Sequence, residues 1–315
     1  MEISANHRYW LSLLFGIAIL GTKTLIAQEE NSNNTQEKLI LSVNAYSFND
    51  LLSARDKTNN EQVYTLFNLI DWCAYNNIKA IDITGYFFPT YPKVPSDEYI
   101  EKLRNKAVQS GIAISGTGIR NNFASPDPTI RAAGVTLAKD WIVVASKLNA
   151  PVIRLFAGEI PAGYEQKWDE VAGWMIECFK ECAEFGKLYG VKIGIQNHGD
   201  MLQTAEQCLK VLKAIDSEWA GLIIDTGSFK TSDPYKDIEL TAPYAINWQV
   251  KESPFGIGNK ERTDFNQLIR IIKNQGYNGY LPVETLLVKG RTYDPFKLVT
   301  EMIDELRASI AKEYR

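Results

Sequence analysis

Histidine is almost missing from this chain. Its 315 residues hold two, His7 and His198. His7 lies in a leader-like segment, so a processed chain would keep His198 alone. That excludes a multi-histidine metal site and, with it, a Cys/His zinc cluster. Cysteine is scarce as well. Cys73, Cys178, Cys182 and Cys208 form no CxxC pair, and Cys178 and Cys182 stand one helical turn apart, a poor geometry for a bridge inside a regular helix. They read as small buried apolar residues, with a disulfide between elements left open in an oxidising compartment. Positive charge is not in excess: 34 Lys and Arg against 38 Asp and Glu give a net charge of −4 and a pI near 5.5, against a general nucleic-acid binder. No GxGxxG follows the first β-like run, so the usual dinucleotide-binding sheet lacks support.

No apolar run reaches the length of an ordinary membrane span. The longest, Tyr9 to Gly21, follows Arg8 and suits the core of a signal peptide. Ala27 is a plausible cleavage point, so residues 1–27 are expected to be a signal peptide. The polar residues 28–38 are expected to be a disordered lead-in. An uncleaved anchor is the alternative. The expectation is a periplasmic or secreted protein with no stable membrane span after cleavage. Self-association is left open.

What the chain does have is a regular alternation. With 45% hydrophobic residues it can bury a large core. From Leu39 onward, short β-branched runs alternate with longer amphipathic ones. Strands are expected around 40–46, 79–84, 112–117, 151–156, 191–196, 221–225, 246–250 and 280–284. Helical spacing links Val63, Leu66, Phe67, Ile70 and Cys73, then Phe265, Leu268, Ile269 and Ile272, then Phe296, Val299, Ile303, Leu306 and Ile310. Gly111, Gly190 and Gly276 stand where left-handed helix caps are expected. Eight such βα units over residues 39–315, with no linker, indicate an α/β fold: a single (β/α)8 TIM barrel. An open doubly wound sheet is the second choice.

Four successive apolar runs in the second half end in polar residues. They finish at Gln196-Asn197-His198, at Asp225, at Gln249-Val250-Lys251-Glu252 and at Glu284. In a closed parallel barrel, strand ends converge on one mouth. Asp225 and Glu284, with the amide oxygens of Gln196 and Gln249, would form an all-oxygen shell suited to Mg²⁺ or Mn²⁺. Alternatively the two carboxylates pair with Arg154 or Lys251. His198 could move a proton near neutral pH or satisfy a loop carbonyl. Lys251 shares the parity of Gln249 and could stabilise an enediolate oxygen, or pair with Glu252. Arg154, inside a strand, could bind a sugar hydroxyl or carboxylate, or pair with Asp82. Glu159, Asn197, Trp248 and Glu252 complete the candidate substrate contacts. Arg120 and the aromatics Tyr46, Phe48, Tyr86, Phe87, Phe88, Phe123, Phe156, Trp248 and Phe255 also follow strand ends. Aromatic faces suit the C–H faces of sugars, or serve ordinary packing.

The runs Ile-Asp225-Thr-Gly, Pro-Val-Glu284-Thr and Val-Lys251-Glu252 resemble the xylose isomerase-like barrels, the sugar phosphate isomerase/epimerase superfamily, over roughly residues 39–311. In that family's ketose 3-epimerases a Glu, an Asp, a His and a Glu hold one divalent metal, and the two Glu exchange the substrate proton. Asp225 and Glu284 match two of these, whereas Gln196 and Gln249 replace the Glu and the His. The resemblance implies an exported, metal-assisted enzyme that abstracts a proton next to a carbonyl, with metal affinity weakened. Glu284 or His198 would be the base and Lys251 the stabilising cation. The outcome would be isomerisation or epimerisation of a sugar, or β-elimination from a 3-keto-glycoside. The alternative is a non-catalytic carbohydrate-binding barrel. The DNA-repair nuclease branch of the same superfamily, with its multi-histidine, three-metal site, does not suit a processed chain with one histidine and an export signal.

Overall fold

The computed structural model describes residues 39–199 and 201–315. The expected signal peptide, the lead-in and Asp200 lie outside the described residues. Eight parallel strands pair in sequence order and close on themselves. They are β1 (Leu39–Asn44), β2 (Ala80–Thr84), β3 (Ala113–Gly118), β4 (Val152–Phe156), β5 (Lys192–Gln196), β6 (Ala220–Asp225), β7 (Ala245–Lys251) and β8 (Gly279–Glu284). β8 pairs back onto β1, Leu39–Val43 lying against Gly279–Val283. Each strand falls on one of the expected runs, and the chain from residue 39 is a single (β/α)8 barrel.

Burial on both faces explains why these runs are apolar almost throughout. One face of each strand fills the barrel, and the other packs under the helices. Among the described residues, helices Leu66–Tyr75, Asp97–Gln109, Pro128–Lys147, Trp168–Tyr189, Ala205–Ile215, Pro234–Thr241, Phe265–Asn274 and Pro295–Glu313 follow β1 to β8 in turn, preceded by the short Asn49–Ser53. None of them is long and apolar enough to cross a membrane. Gly111, Gly190 and Gly276 adopt φ of +67°, +68° and +67°, as expected of left-handed caps.

One helix begins later than its apolar spacing suggests. Val63 lies outside it and is 65% exposed. The start is at Leu66, because Thr65 and Asn68 cap each other's backbone N–H groups in a reciprocal box. Local capping chemistry overrides the hydrophobic period here. All four cysteines are free and buried.

Because the strands are parallel and the barrel is closed, their last residues share one end. The ring is Asn44, Thr84, Gly118, Phe156, Gln196, Asp225, Lys251 and Glu284. The four polar endings singled out in the sequence therefore meet at one mouth.

The helix Trp168–Tyr189 approaches β5 closely at Gly186, where an added Cβ would run into the backbone carbonyl oxygen of Val191. Gly173 in the same helix has open space around that position. Gly186→Ala is expected to cost about 1–3 kcal/mol of stability through overpacking. Gly173→Ala should be neutral or stabilising by up to about 1 kcal/mol. Thermal or urea unfolding of the two variants checks the contrast.

Candidate functional site

The mouth is organised around the ammonium of Lys251. Its stem passes through space left by Gly227, where a Cβ would lie 2.9 Å from Lys251 Cγ. Its backbone is pinned by two threonines: Lys251 N–H donates to Thr226 Oγ1 at 2.9 Å, and Thr263 Oγ1 donates to the Lys251 carbonyl at 2.8 Å. The Nζ then lies 2.5 Å from Glu284 Oε1 and 3.6 Å from Asp225 Oδ2. Burial works against the charge on Lys251. The two carboxylates outweigh it, and its pKa is raised above the ordinary lysine value. Glu252, the alternative partner, follows the end of β7 and lines the larger hollow as well, but it is not the residue that pairs with Lys251. Both its oxygens are taken by Arg291 at 2.9 Å.

Asp225 is fully buried and highly coordinated. Its Oδ2 accepts from Gln196 Nε2 at 2.8 Å and its Oδ1 from the Gly227 N–H at 3.0 Å. Asn197 clamps its backbone from both sides, accepting from the N–H at 2.7 Å and donating to the carbonyl at 2.9 Å. Asn197 is thus a brace between β5 and β6, which corrects its assignment as a substrate contact. An amide side chain can satisfy both backbone groups of a neighbouring strand, and here it does.

The expected metal shell is brought together only in part. Gln196 sits between Arg154, which can only donate, and Asp225. Its amide oxygen therefore faces Arg154 Nη1 at 3.4 Å, and its NH2 faces the carboxylate. Gln249 accepts from Asn44 Nδ2 at 2.7 Å, and Asn44 is oriented by the Tyr46 N–H bound to its own Oδ1. That chain turns the Gln249 oxygen toward Asn44 and leaves its buried Nε2 without a hydrogen-bond partner. Both amide oxygens are thus engaged by donors, while the N–H groups face Asp225 in one case and no partner in the other. With an ammonium already between the two carboxylates, this donor set does not fit a divalent cation, and Gln196 and Gln249 are not the ligands expected. Among the described residues no cluster of three or more His, Cys, Asp or Glu could hold a metal ion.

Two hollows open at the mouth, of about 620 and 440 Å³. Glu159, His198, Lys251, Ile257, Glu284 and Leu286 line both. The larger runs under the β7 loop past Phe255 and Arg262. The smaller is walled by Tyr46, Tyr86, Phe156, Arg120 and Arg154. His198 stacks on Phe156, ring centres 5.0 Å apart. Desolvation beside these walls lowers its pKa from the ordinary histidine value, against the pull of the nearby Asp225 carboxylate, although the side chain is exposed at the rim.

Arg154 rises from β4 through room left by Gly118. Its guanidinium donates to the Tyr86 hydroxyl and stacks 4.3 Å from the Phe156 ring centre. It forms no ion pair with Asp82, whose buried carboxyl is pushed up to about 6 against the pull of Arg154.

Trp248 is not at the mouth. It is fully buried on the outer face of β7, edge-on to Tyr277 at 5.8 Å. Strand alternation puts it opposite Gln249, so it is corrected from ligand contact to core. Phe48, Phe87, Phe88 and Phe123 are likewise core residues. Asn44, Gly118, Gly227 and Arg291 were missed by the sequence reading. Asn44 carried a usable signal, since it ends an apolar run as Asp225 does. The glycines and Arg291 matter only through contacts distant in sequence.

A sequence profile described as the xylose isomerase-like TIM barrel matches residues 70–308. MJ1311, an uncharacterised protein of Methanocaldococcus jannaschii, is 24% identical over 263 residues, or 76% of this chain and 87% of that protein. Among solved structures, D-psicose 3-epimerase of Clostridium cellulolyticum H10 superposes with a TM-score of 0.65 at 18% identity, over 87% of this chain and 98% of that one. For 3-keto-D-glucoside 4-epimerase, YcjR, of E. coli the values are 0.66 and 10%, over 86% and 99%. At these identities the structural likeness is one of fold.

Replacing Lys251 by Met should strand two carboxylates in the interior and cost about 3–5 kcal/mol at neutral pH. The deficit should shrink on acidification, when the stranded carboxylates take up protons and their repulsion vanishes. Urea unfolding of wild type and Lys251→Met at pH 7.5 and pH 5 measures both.

Proposed function

Because this chain belongs to the xylose isomerase-like TIM barrel family, we propose that it is a sugar isomerase- or epimerase-type enzyme that moves a proton next to a carbonyl. The observation that carries this reading is the ammonium of Lys251 held against Glu284 at the point where both hollows meet. Glu284 is the base. Asp225 has its oxygens engaged by Gln196, Gly227 and Lys251, and acts to hold the lysine.

The step is balanced in charge. Glu284 takes the proton from the carbon beside the substrate carbonyl. The C–H electron pair moves into a carbon–carbon double bond, and the carbonyl oxygen gains the negative charge. As Glu284 becomes neutral its hold on Lys251 weakens, and the ammonium follows the charge to the enediolate oxygen. The cation is in position before the reaction, so little reorganisation is needed. His198, which lines the same hollows, takes the proton of the neighbouring hydroxyl and, as imidazolium, passes it to the former carbonyl oxygen. Delivery of the abstracted proton by Glu284 to the neighbouring carbon, with the hydroxyl proton passed between the oxygens, isomerises the sugar. Epimerisation takes the opposite-face proton from a His198 that has first gained one from solvent, while Glu284 returns its own to solvent. Where the β-carbon carries a glycosidic oxygen, the enolate re-forms its carbonyl as that C–O bond breaks, and the oxygen leaves as an alcohol with the proton carried by Glu284, which is β-elimination.

Divalent cations are usual in the family. Here the N–H groups of Gln196 and Gln249 and the placement of Lys251 argue for the chain's own ammonium in that role, so no step passes through a metal. On the strength of the apolar segment 9–21, the reading sets this activity in the periplasm or outside the cell, on free sugars or glycosides.

Proton exchange from deuterated water into a panel of ketoses and 3-keto-glycosides tests the proposal. Wild type is expected to exchange at one carbon position, and Glu284→Gln to lose about 10²–10⁴-fold. Dialysis against EDTA should leave the rate within about twofold, as should added Mn²⁺ or Mg²⁺. Unchanged exchange in Glu284→Gln, or loss on EDTA restored by Mn²⁺, would overturn the assignment. Sugar binding without exchange would make the barrel a carbohydrate-binding protein instead.

A further inference from the structure

The smaller hollow holds a cation that the reaction described above does not use. Arg154 is 7% exposed and lines that hollow. Its partners among the described residues are neutral: the Tyr86 hydroxyl, the Gln196 amide oxygen and the Phe156 ring. The interior ion pairs of the described residues belong to Lys251. The Arg154 Nε–H has no acceptor at all. The Asp82 carboxyl is near enough to feel Arg154 but makes no hydrogen bond or ion pair with it, and a buried guanidinium with a spare donor is expensive. It persists here because β3 supplies glycine at 118, where a Cβ would lie 2.7 Å from Nε and Nη2. A second guanidinium, Arg120, lies 4.4 Å from the centre of the Tyr86 ring and lines the same hollow. Two arginines thus bracket one tyrosine, beside the aromatic faces of Tyr46 and Phe156.

We propose that this hollow binds a carboxylate of the substrate, so that the enzyme acts on sugar acids, of the hexuronate class, in preference to neutral sugars. Guanidinium forks match carboxylates in shape and charge, and stacking on aromatic rings keeps them oriented. The carboxylate would be anchored by Arg154 and Arg120 and the ring laid on Phe156 and Tyr46. The remaining carbons would then face Glu284 and Lys251, which line the same hollow. A continuous polar relay joins the two ends: Arg154 to Gln196, Gln196 to Asp225, Asp225 to Lys251, and Lys251 to Glu284. This inference takes its reacting end from the proposed function, but its recognition end stands on Arg154 and Arg120 alone.

Calorimetric titration with methyl β-D-glucuronide, its methyl ester and methyl β-D-glucoside tests it without turnover. The uronide should bind about 10–100-fold more tightly than either uncharged probe. Arg154→Met should bring the ratio close to one. Should that variant fail to fold, Arg120→Ala, changed at an exposed position, should reduce the ratio at least severalfold. Equal affinity of wild type for the three probes, no measurable uronide binding, or an unchanged ratio in the folded variant overturns the inference. Preference for the uronide without any proton exchange would keep it and sink the catalytic reading. Exchange on neutral keto-sugars without acid preference would do the reverse.

Discussion

A single buried ammonium, Lys251, sets the terms for the whole mouth. Two carboxylates on the strands that flank β7 would repel each other in a low-dielectric interior, and with Lys251 Nζ 2.5 Å from one and 3.6 Å from the other they can share it. Everything nearby serves that contact. Gly227 clears the path of the lysine stem, Thr226 and Thr263 pin its backbone, and Arg291 occupies Glu252 so that it does not compete. Asn197 and Gln196 hold Asp225 from behind. These are interactions of limited worth singly, but they fix one geometry because no member can move without stranding a buried charge or amide.

The barrel explains why such a geometry is attainable. Eight strands contribute one terminal residue each to the ring, and the pleat lets only alternate residues look inward. Charge in that ring is segregated. Glu284, Asp225 and Lys251 lie on β8, β6 and β7, whereas Arg154 stands on β4, separated from them by the neutral Gln196 on β5. The amide transmits orientation without carrying charge. It accepts from a cation on one side and donates to an anion on the other.

Much of this was legible before any coordinates. The period of apolar runs gave eight strands at the right places, because a strand buried on both faces writes itself as a continuous hydrophobic segment. The polar residue that stops such a segment marks the mouth, and Asp225, Lys251 and Glu284 were found that way. Parity along a strand would have removed Trp248, since it alternates with Gln249, and chemistry alone had suggested it. The direction of the Gln196 and Gln249 amides was not legible. It depends on Arg154 and Asn44, residues 42 and 205 positions away along the chain. Nor was the service of Gly118 and Gly227, which consists in what they leave empty.

That emptiness couples distant positions. Residue 118 has no room for a methyl group while residue 154 carries a guanidinium, and the two lie on adjacent strands, Gly118 opposite Arg154. Loss of the arginine would leave a void that alanine or serine at 118 could refill, and once refilled the arginine could not return by one step. A lineage of this barrel can therefore give up its inner guanidinium easily and regain it only through a simultaneous double change, so the pair behaves as a ratchet on what the mouth can recognise.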